Sequence, residues 1–168
     1  LKGEMMKILS LDLSSKSSGY AVFEDNLLLD SGCITSASTD VIKRIYVMRD
    51  KIQEILKQYN IDKVVLEEVR PDFQNAHTYK ILTWVQAAIV FATYDVNKKI
   101  EIEYLQASSW RSKIGIKTGR GVKRESLKTK DIEFVRENYG LDVNDDEADA
   151  ICIGHSVVQQ LDEEINWG

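Results

Sequence analysis

The N-terminal third of the chain alternates apolar and polar residues in three short segments. KILSLDL (7–13), SGYAVFE (18–24) and LLLDSGCI (27–34) are rich in strand-forming residues, and Ser-rich or Asp-Asn turns separate them. This pattern predicts an antiparallel meander of three strands. Two later apolar segments, DKVVLEEV (62–69) and IEIEYL (100–105), predict two more strands, the first buried by its composition.

Helical spacing of apolar residues marks four other segments. The first, 41–59, has an apolar stripe and follows Thr39-Asp40, which can cap a helix. The second, 75–96, is apolar over much of its surface, 126–139 is polar, and 144–161 begins acidic and becomes apolar. The order β-β-β-α-β-α-β-α-α predicts an α/β fold. In it, a mixed five-stranded sheet joins the three-stranded antiparallel meander to two parallel strands and is flanked by helices.

Length and composition indicate one globular domain. The chain has 168 residues, of which 43% are hydrophobic and 29% charged, and no apolar run approaches the ~20 residues of a membrane span. We therefore expect a single domain over 1–168, no membrane association and a cytoplasmic location. Residues 1–5 are expected to be a remnant of cloning and residues 162–168 a tail. The two cysteines are far apart and lack zinc-site spacing, so we expect reduced thiols.

Charge is distributed unevenly along the chain. The net charge is -5, yet the segment 111–130 carries eight lysines and arginines against one acid, Glu125. Because local charge decides whether a surface attracts phosphate, this segment favours binding to a nucleic-acid backbone despite the acidic total.

Five acidic residues, on two strands and at the start of one helix, are placed so that carboxylates from the three elements could converge at one point. Asp12 lies between two leucines of the first strand, Glu67 and Glu68 end the fourth strand, and Asp146 and Asp149 share a face at the start of the last helix. Solvent exposure or interaction with the helix dipole could account for each alone. Together they predict a carboxylate cluster, whose mutual repulsion a hard divalent cation would remove.

Three motifs carry a resemblance to a known family. LSLDLSSKSSGYAVF, VVLEEV and DDEADAICIGHS are similar to the three acidic motifs of the RuvC family of Holliday junction resolvases, within the ribonuclease H-like superfamily. The resemblance extends from Lys7 to Val158, with the last motif the most specific. It implies a ribonuclease H-like nuclease domain of the compact phage or Firmicute type.

The resemblance implies a role for each motif residue. Asp12 would bridge two Mg²⁺ or Mn²⁺ ions, and Glu67, Asp146 and Asp149 would complete the metal-binding and catalytic set. Lys123 or Arg124 would contact the scissile phosphate. The residues expected to bind DNA are Lys117, Arg120, Lys123, Arg124, Lys128 and Arg70.

The resemblance also implies features around the metal site. The family has an aromatic wedge shortly after the second-motif glutamate, where this chain has Arg70 and, after a proline, Phe73. Lys16 and His77 are expected to be solvated surface residues, with contact to DNA phosphate as the alternative.

The implied function is metal-dependent resolution of four-way DNA junctions. Paired symmetric nicks would leave 5′-phosphate and 3′-hydroxyl ends, and two symmetric cuts imply a homodimer. The long helix 75–96 could supply the dimer surface, or be a fully buried central helix. The enzyme would act on branched DNA in a bacterial or virus-infected bacterial cell, and the sequence identifies no helicase partner.

Three alternatives stay open at this point. A broader nuclease for forks, flaps, three-way junctions or RNA–DNA hybrids would share the chemistry and differ in substrate shape. A non-catalytic junction-binding module would not need four intact acidic positions. A phosphate-transferring member of the actin-like superfamily would need a second glycine-rich phosphate loop, which this chain lacks.

Overall fold

The structure is a computed structural model that describes residues 5–166, with the side chains of residues 5–159. Residues 1–4 of the expected cloning remnant and residues 167–168 of the expected tail lie outside this range. None of the helices in the described part of the chain is long and apolar enough to cross a membrane.

Five strands form one mixed sheet in the order β3-β2-β1-β4-β5. The strands are β1 (Lys7–Asp12), β2 (Ser17–Glu24), β3 (Leu27–Thr35), β4 (Lys63–Glu67) and β5 (Glu101–Leu105). The pairs β1–β2 and β2–β3 are antiparallel, whereas β1–β4 and β4–β5 are parallel. The predicted fold, a meander joined to two parallel strands, is therefore confirmed.

Five helices flank the sheet in the described range. They are α1 (Val41–Tyr59), α2 (Ala76–Val96), α3 (Ala107–Lys113), α4 (Arg124–Tyr139) and α5 (Asp145–Asn166). The sequence did not predict α3, because seven residues are too few to show a helical period. The predicted end of α5 at residue 161 was also wrong, since the helix continues to Asn166 through part of the expected tail.

The two faces of the sheet bury separate apolar clusters, as the alternation of side chains along a strand requires. On one face, Ile8, Phe23 and Val65 pack with residues of α3, α4 and α5. On the other face, strand residues such as Leu9 and Leu66 pack against α1 and α2. The core therefore lies in two layers, with α5 lying across β1 and β2.

Two glycines let α5 approach the sheet closely. A Cβ built on Gly19 of β2 would lie 1.8 Å from the carbonyl oxygen of Asp146, and one on Gly154 would lie 2.2 Å from the Phe23 ring. Between these points, Ser10 Oγ of β1 donates a 2.7 Å hydrogen bond to the carbonyl of Ala150. The first turn of α5 is thus held against the edge of the sheet where β1 ends.

Candidate active site

Asp12 and Glu67 end two neighbouring parallel strands. Leu11 of β1 is in register with Leu66 of β4, so the next residues, Asp12 and Glu67, lie side by side at the carboxyl edge of the sheet. Both side chains are half-buried. The Glu68 backbone N–H instead bonds to the carbonyl of Leu105, and the Glu68 side chain is exposed. Glu67 is therefore the glutamate next to Asp12.

Asp146 reaches the same edge from the first turn of α5. Asp12 is paired with Gly19 across β1 and β2, and Gly19 is the residue on which the Asp146 backbone rests. The hydroxyl of Ser17, at the start of β2, donates a 2.6 Å hydrogen bond to Asp146 Oδ2. The Gly19 contact sets the position of this carboxylate, and the Ser17 hydrogen bond fixes its orientation.

Asp149 lies one turn further along α5 and faces an arginine. Its Oδ2 is 3.5 Å from Arg111 Nη2, while its Oδ1 is buried and has no hydrogen-bond partner among the described residues. Arg111 is also bound by Asp131 of α4, which accepts hydrogen bonds of 3.1 Å from Nε and 2.9 Å from Nη2 on its Oδ2. The Asp131 side chain is completely buried, so Arg111 links Asp149 to the protein interior.

The short helix α3 supports two of the four carboxylates. Trp110 is completely buried, and its Nε1 donates a 2.8 Å hydrogen bond to Glu67 Oε2. The guanidinium of the next residue, Arg111, stacks 4.1 Å from the centre of the Trp110 ring. From the sequence, Trp110 beside Arg111 is expected to be a packing anchor, with base stacking as the alternative, and Asp131 has no assigned role. The sequence signal that could have predicted these contacts is the adjacent Trp110 and Arg111 inside a polar segment.

Burial and the charges of neighbouring carboxylates make Asp12 and Asp149 hold protons more tightly than isolated carboxylates do. Burial, followed by the charges of Glu67 and Asp146, raises the pKa of Asp12 from 3.8 to about 7. Burial, the contact with Asp131 and the charge of Asp12 raise the pKa of Asp149 as well, although Arg111 opposes this rise. A cation that takes the place of these protons would relieve the repulsion between the carboxylates and so stabilise their ionised forms.

The donor set fits a hard divalent cation. All four acidic side chains offer oxygen ligands, which Mg²⁺ and Mn²⁺ prefer. Asp149 Oδ1 is a buried acceptor that the described part of the chain leaves without a partner. In the described part of the chain, no three acidic, histidine or cysteine side chains are already grouped closely enough to hold one ion. Repulsion between like charges is a physical reason for carboxylates to stand apart when no cation lies between them.

The predicted DNA-binding residues differ in what they contact. Lys128 of α4 forms an ion pair with Asp145, the residue before Asp146, and the charge of Asp146 also raises the Lys128 pKa. Arg70 donates a 2.5 Å hydrogen bond to Gln106 beside the end of β5. The other predicted residues are exposed on the loop before α4 and at its start: Lys117, Arg120, Lys123 and Arg124.

Comparison with known proteins identifies the family. Residues 8–155 match the family model described as crossover junction endodeoxyribonuclease RuvC. The chain belongs to the RuvC family. A RuvC of Shewanella loihica is 31% identical over 122 residues, which cover 70% of this chain and 68% of that protein. A RuvC of Shewanella sediminis is 30% identical over 125 residues, covering 72% and 70%. The chain is accordingly an endodeoxyribonuclease.

Solved structures share the RuvC fold at low sequence identity. Thermus thermophilus RuvC in complex with a Holliday junction substrate superposes with a TM-score of 0.74, at 14% identity, covering 93% of this chain and 95% of that one. The yeast mitochondrial Holliday junction resolvase has a TM-score of 0.61, 14% identity and coverages of 97% and 83%. The fold thus persists where few residues are shared.

Proposed function

We propose that this RuvC-family chain is a divalent-metal-dependent endonuclease that resolves four-way DNA junctions. It would introduce paired symmetric nicks that leave 5′-phosphate and 3′-hydroxyl ends. The observation that carries the proposal is the meeting of Asp12, Glu67, Asp146 and Asp149 at one edge of the sheet, in a family of junction endonucleases. We further propose that the enzyme works in the bacterial cytoplasm, where its DNA substrate is found.

The four carboxylates of Asp12, Glu67, Asp146 and Asp149 would hold Mg²⁺ or Mn²⁺, two ions per site. Such ions supply Lewis-acid activation of a water and stabilise the leaving oxygen of a phosphodiester. The chain's own contribution is orientation: Ser17 fixes Asp146, Trp110 fixes Glu67, and Arg111 restrains Asp149. Partners of this kind typically change metal affinity or activity by about 10- to 100-fold when removed.

Lys128 is a strong candidate for contact with the scissile phosphate. The sequence favoured Lys123 or Arg124, which are exposed at the start of α4, whereas the Lys128 ammonium already contacts the acidic start of α5. A phosphate arriving at the carboxylates could take the place of Asp145 on this ammonium. We therefore propose Lys128 for this role and the exposed residues of the loop for contacts to neighbouring phosphates.

Phe73 is proposed as the aromatic residue that stacks on DNA bases. It lies six residues after Glu67, and 95% of its surface is exposed. A phenylalanine so exposed has no packing role in the monomer, and aromatic stacking is worth about 1–3 kcal/mol per base. It would stack on bases opened at the branch point.

The exposed face of α1 and α2 is proposed as the homodimer surface. Val85 and Ile89 of α2 are completely buried, so one side of the helix packs in the core. Its other side exposes Trp84 and Phe91, which line a cavity of about 550 Å³ with Tyr46 of α1. The alternative that α2 is a fully buried central helix is therefore wrong.

A symmetric partner would cover the apolar surface formed by Trp84, Phe91 and Tyr46 and bring a second active site to the junction.

A substrate panel tests the proposed specificity. Labelled four-way junctions, forks, flaps and plain duplexes of the same sequence are incubated with enzyme and Mg²⁺, and the products are mapped at nucleotide resolution. Symmetric nicks in opposing strands of the four-way junction, with ligatable ends, are expected. Equal cleavage of forks and flaps would favour the broader branched-DNA nuclease, and binding without cleavage would favour the binding module.

A further inference from the structure

Arg44 is a buried cation without an acidic partner. Its side chain, on the first turn of α1, is only 6% exposed. Its nitrogens donate to the Ser15 hydroxyl at 3.3 Å and to the carbonyls of Ser38 and Thr39 at 3.0 and 3.2 Å. All these acceptors are neutral, and within the described residues Arg44 forms no ion pair. Burying an uncompensated charge is costly, so an anion is expected to complete the site.

A cavity of about 480 Å³ opens beside this arginine. Its polar lining is basic or hydroxylic, and no carboxylate contributes to it. The lining residues that carry the inference are Ser14, Lys16, Thr39, Arg44, His77 and Thr78. Lys16 and His77 are exposed, whereas Arg44 is buried, so an incoming anion would meet the Lys16 ammonium before the Arg44 guanidinium.

The turn between β1 and β2 connects this cavity to the carboxylate cluster. Ser15 of the turn holds Arg44, whereas Ser17, two residues later, holds Asp146. The Ser18 hydroxyl accepts a hydrogen bond from the Ser14 N–H and donates one to the Ser14 carbonyl, which closes the turn. Lys16 follows Asp12 by four residues, and four residues span at most about 14 Å. At ~3.4 Å of duplex axis per nucleotide, this upper limit corresponds to about four nucleotides.

We propose that the Arg44 cavity binds a non-scissile backbone phosphate of the DNA strand being cut. Lys16, Arg44 and the surrounding hydroxyls bind its oxygens, and the turn transmits the position of that phosphate to Asp146. The assignment of the anion to DNA rests on the proposed function. The presence of a phosphate-binding site rests on the cavity and the buried arginine alone.

Inorganic phosphate tests the site without reference to DNA. The wild-type protein, without added metal, is titrated with phosphate while the backbone amides and the Arg44 Nε–H are followed by NMR. Saturable shifts are expected at Arg44, Ser15 and Lys16, and they should be weakened in Lys16→Gln. Absence of shifts at Arg44 and Ser15 up to high phosphate concentration would overturn the proposal and leave Arg44 with a structural role only.

Salt-dependent junction binding tests the link to DNA. Binding of a labelled four-way junction is measured in Ca²⁺ over a range of salt for wild type, Lys16→Gln and the control Lys43→Gln. Lys43 is an exposed lysine beside Arg44 that does not line the cavity, so both variants remove the same charge. Only Lys16→Gln should reduce the steepness of log affinity against log salt by about 0.9. If the two proteins bind equally at 1 M salt, Lys16→Gln then binds about eightfold more weakly than wild type at 0.1 M.

The possible results separate the two proposals. Equal effects of Lys16→Gln and Lys43→Gln on junction binding would overturn the assignment of the cavity to the DNA backbone. If phosphate binds at Arg44 but the wild type neither prefers nor cuts junctions, the phosphate site stands and the proposed function fails. If junctions are cut but neither phosphate nor Lys16→Gln has the expected effect, the site fails and the function stands.

Discussion

Replacing Asp12 by asparagine should stabilise the metal-free protein while removing a metal ligand. Burial and the charges of Glu67 and Asp146 raise the Asp12 pKa from 3.8 to about 7. Each pKa unit corresponds to about 1.4 kcal/mol, which sets an upper bound of about 4 kcal/mol on the penalty of ionising this side chain in the folded protein. Because Asp12 is only half-buried and water screens its charge, we expect about 2 kcal/mol in practice.

The sign of this effect fixes its pH dependence. The folded protein binds the Asp12 proton more tightly than the unfolded chain between pH 3.8 and about 7. The contribution of Asp12 to stability is therefore fully present below pH 3.8 and is lost as the pH rises towards 7. The free energy of unfolding of Asp12→Asn should exceed that of the wild type most at pH 8, and this difference should shrink towards pH 4.

Calorimetric or urea unfolding in chelator measures this difference. At pH 8, about 2 kcal/mol corresponds to a melting temperature about 4–8 °C higher for Asp12→Asn in a domain of this size. Mg²⁺ at 100 times its Kd should stabilise the wild type by about 2.7 kcal/mol and the variant much less. Asp145→Asn is the control, because the ion pair with Lys128 lowers the Asp145 pKa and its removal should not stabilise the protein. A variant less stable than wild type at pH 8, or a difference independent of pH, would refute the reasoning.

Three further substitutions test the residues around the site. Trp110→Phe keeps the buried ring but removes the donor to Glu67, so Mg²⁺ affinity, measured by calorimetric titration, should fall about 10-fold or more while the fold is retained. Asp131→Ala leaves Arg111 buried with a weaker partner and should lower the free energy of unfolding by about 3–5 kcal/mol in urea titrations; an unchanged midpoint would contradict the buried ion pair. Phe73→Ala should change stability by less than about 0.5 kcal/mol yet slow junction cleavage, and normal cleavage would exclude a stacking role.

The sequence predicted the architecture because most elements carry a strong local pattern. A window of a few residues is enough to show the alternation of the strands and the amphipathic spacing of α1. Both faces of the sheet bury apolar side chains, as that alternation requires. Glu67 was predicted at the end of its strand, as the structure has it. Asp12 was predicted inside the first strand, whereas it is the last residue of β1. Their proximity depends on β1 and β4 being parallel neighbours, which the predicted element order favours.

The supporting residues could not be predicted in the same way. Trp110 and Arg111 act through α3, a helix of seven residues with no visible period, and Asp131 lies on the polar helix α4, where an acid is ordinarily exposed. Arg44 lies on the apolar side of α1 among residues that would be expected in the core. Two of its neutral acceptors, the carbonyls of Ser38 and Thr39, lie just before α1. The third, the Ser15 hydroxyl, comes from the turn after β1, and this long-range contact leaves no local signature in the sequence.

The most direct test of the central claim is cleavage of a synthetic four-way junction beside a linear duplex of matched sequence. Wild type and Asp12→Asn are compared in Mg²⁺ and in chelator, with both proteins shown to be folded. Paired nicks near the branch that require Mg²⁺, disappear in Asp12→Asn and are absent from the duplex are the predicted result. Cleavage that persists in chelator or in Asp12→Asn, or junction binding without any cleavage by the wild type in Mg²⁺, would contradict a metal-dependent resolvase built on these carboxylates.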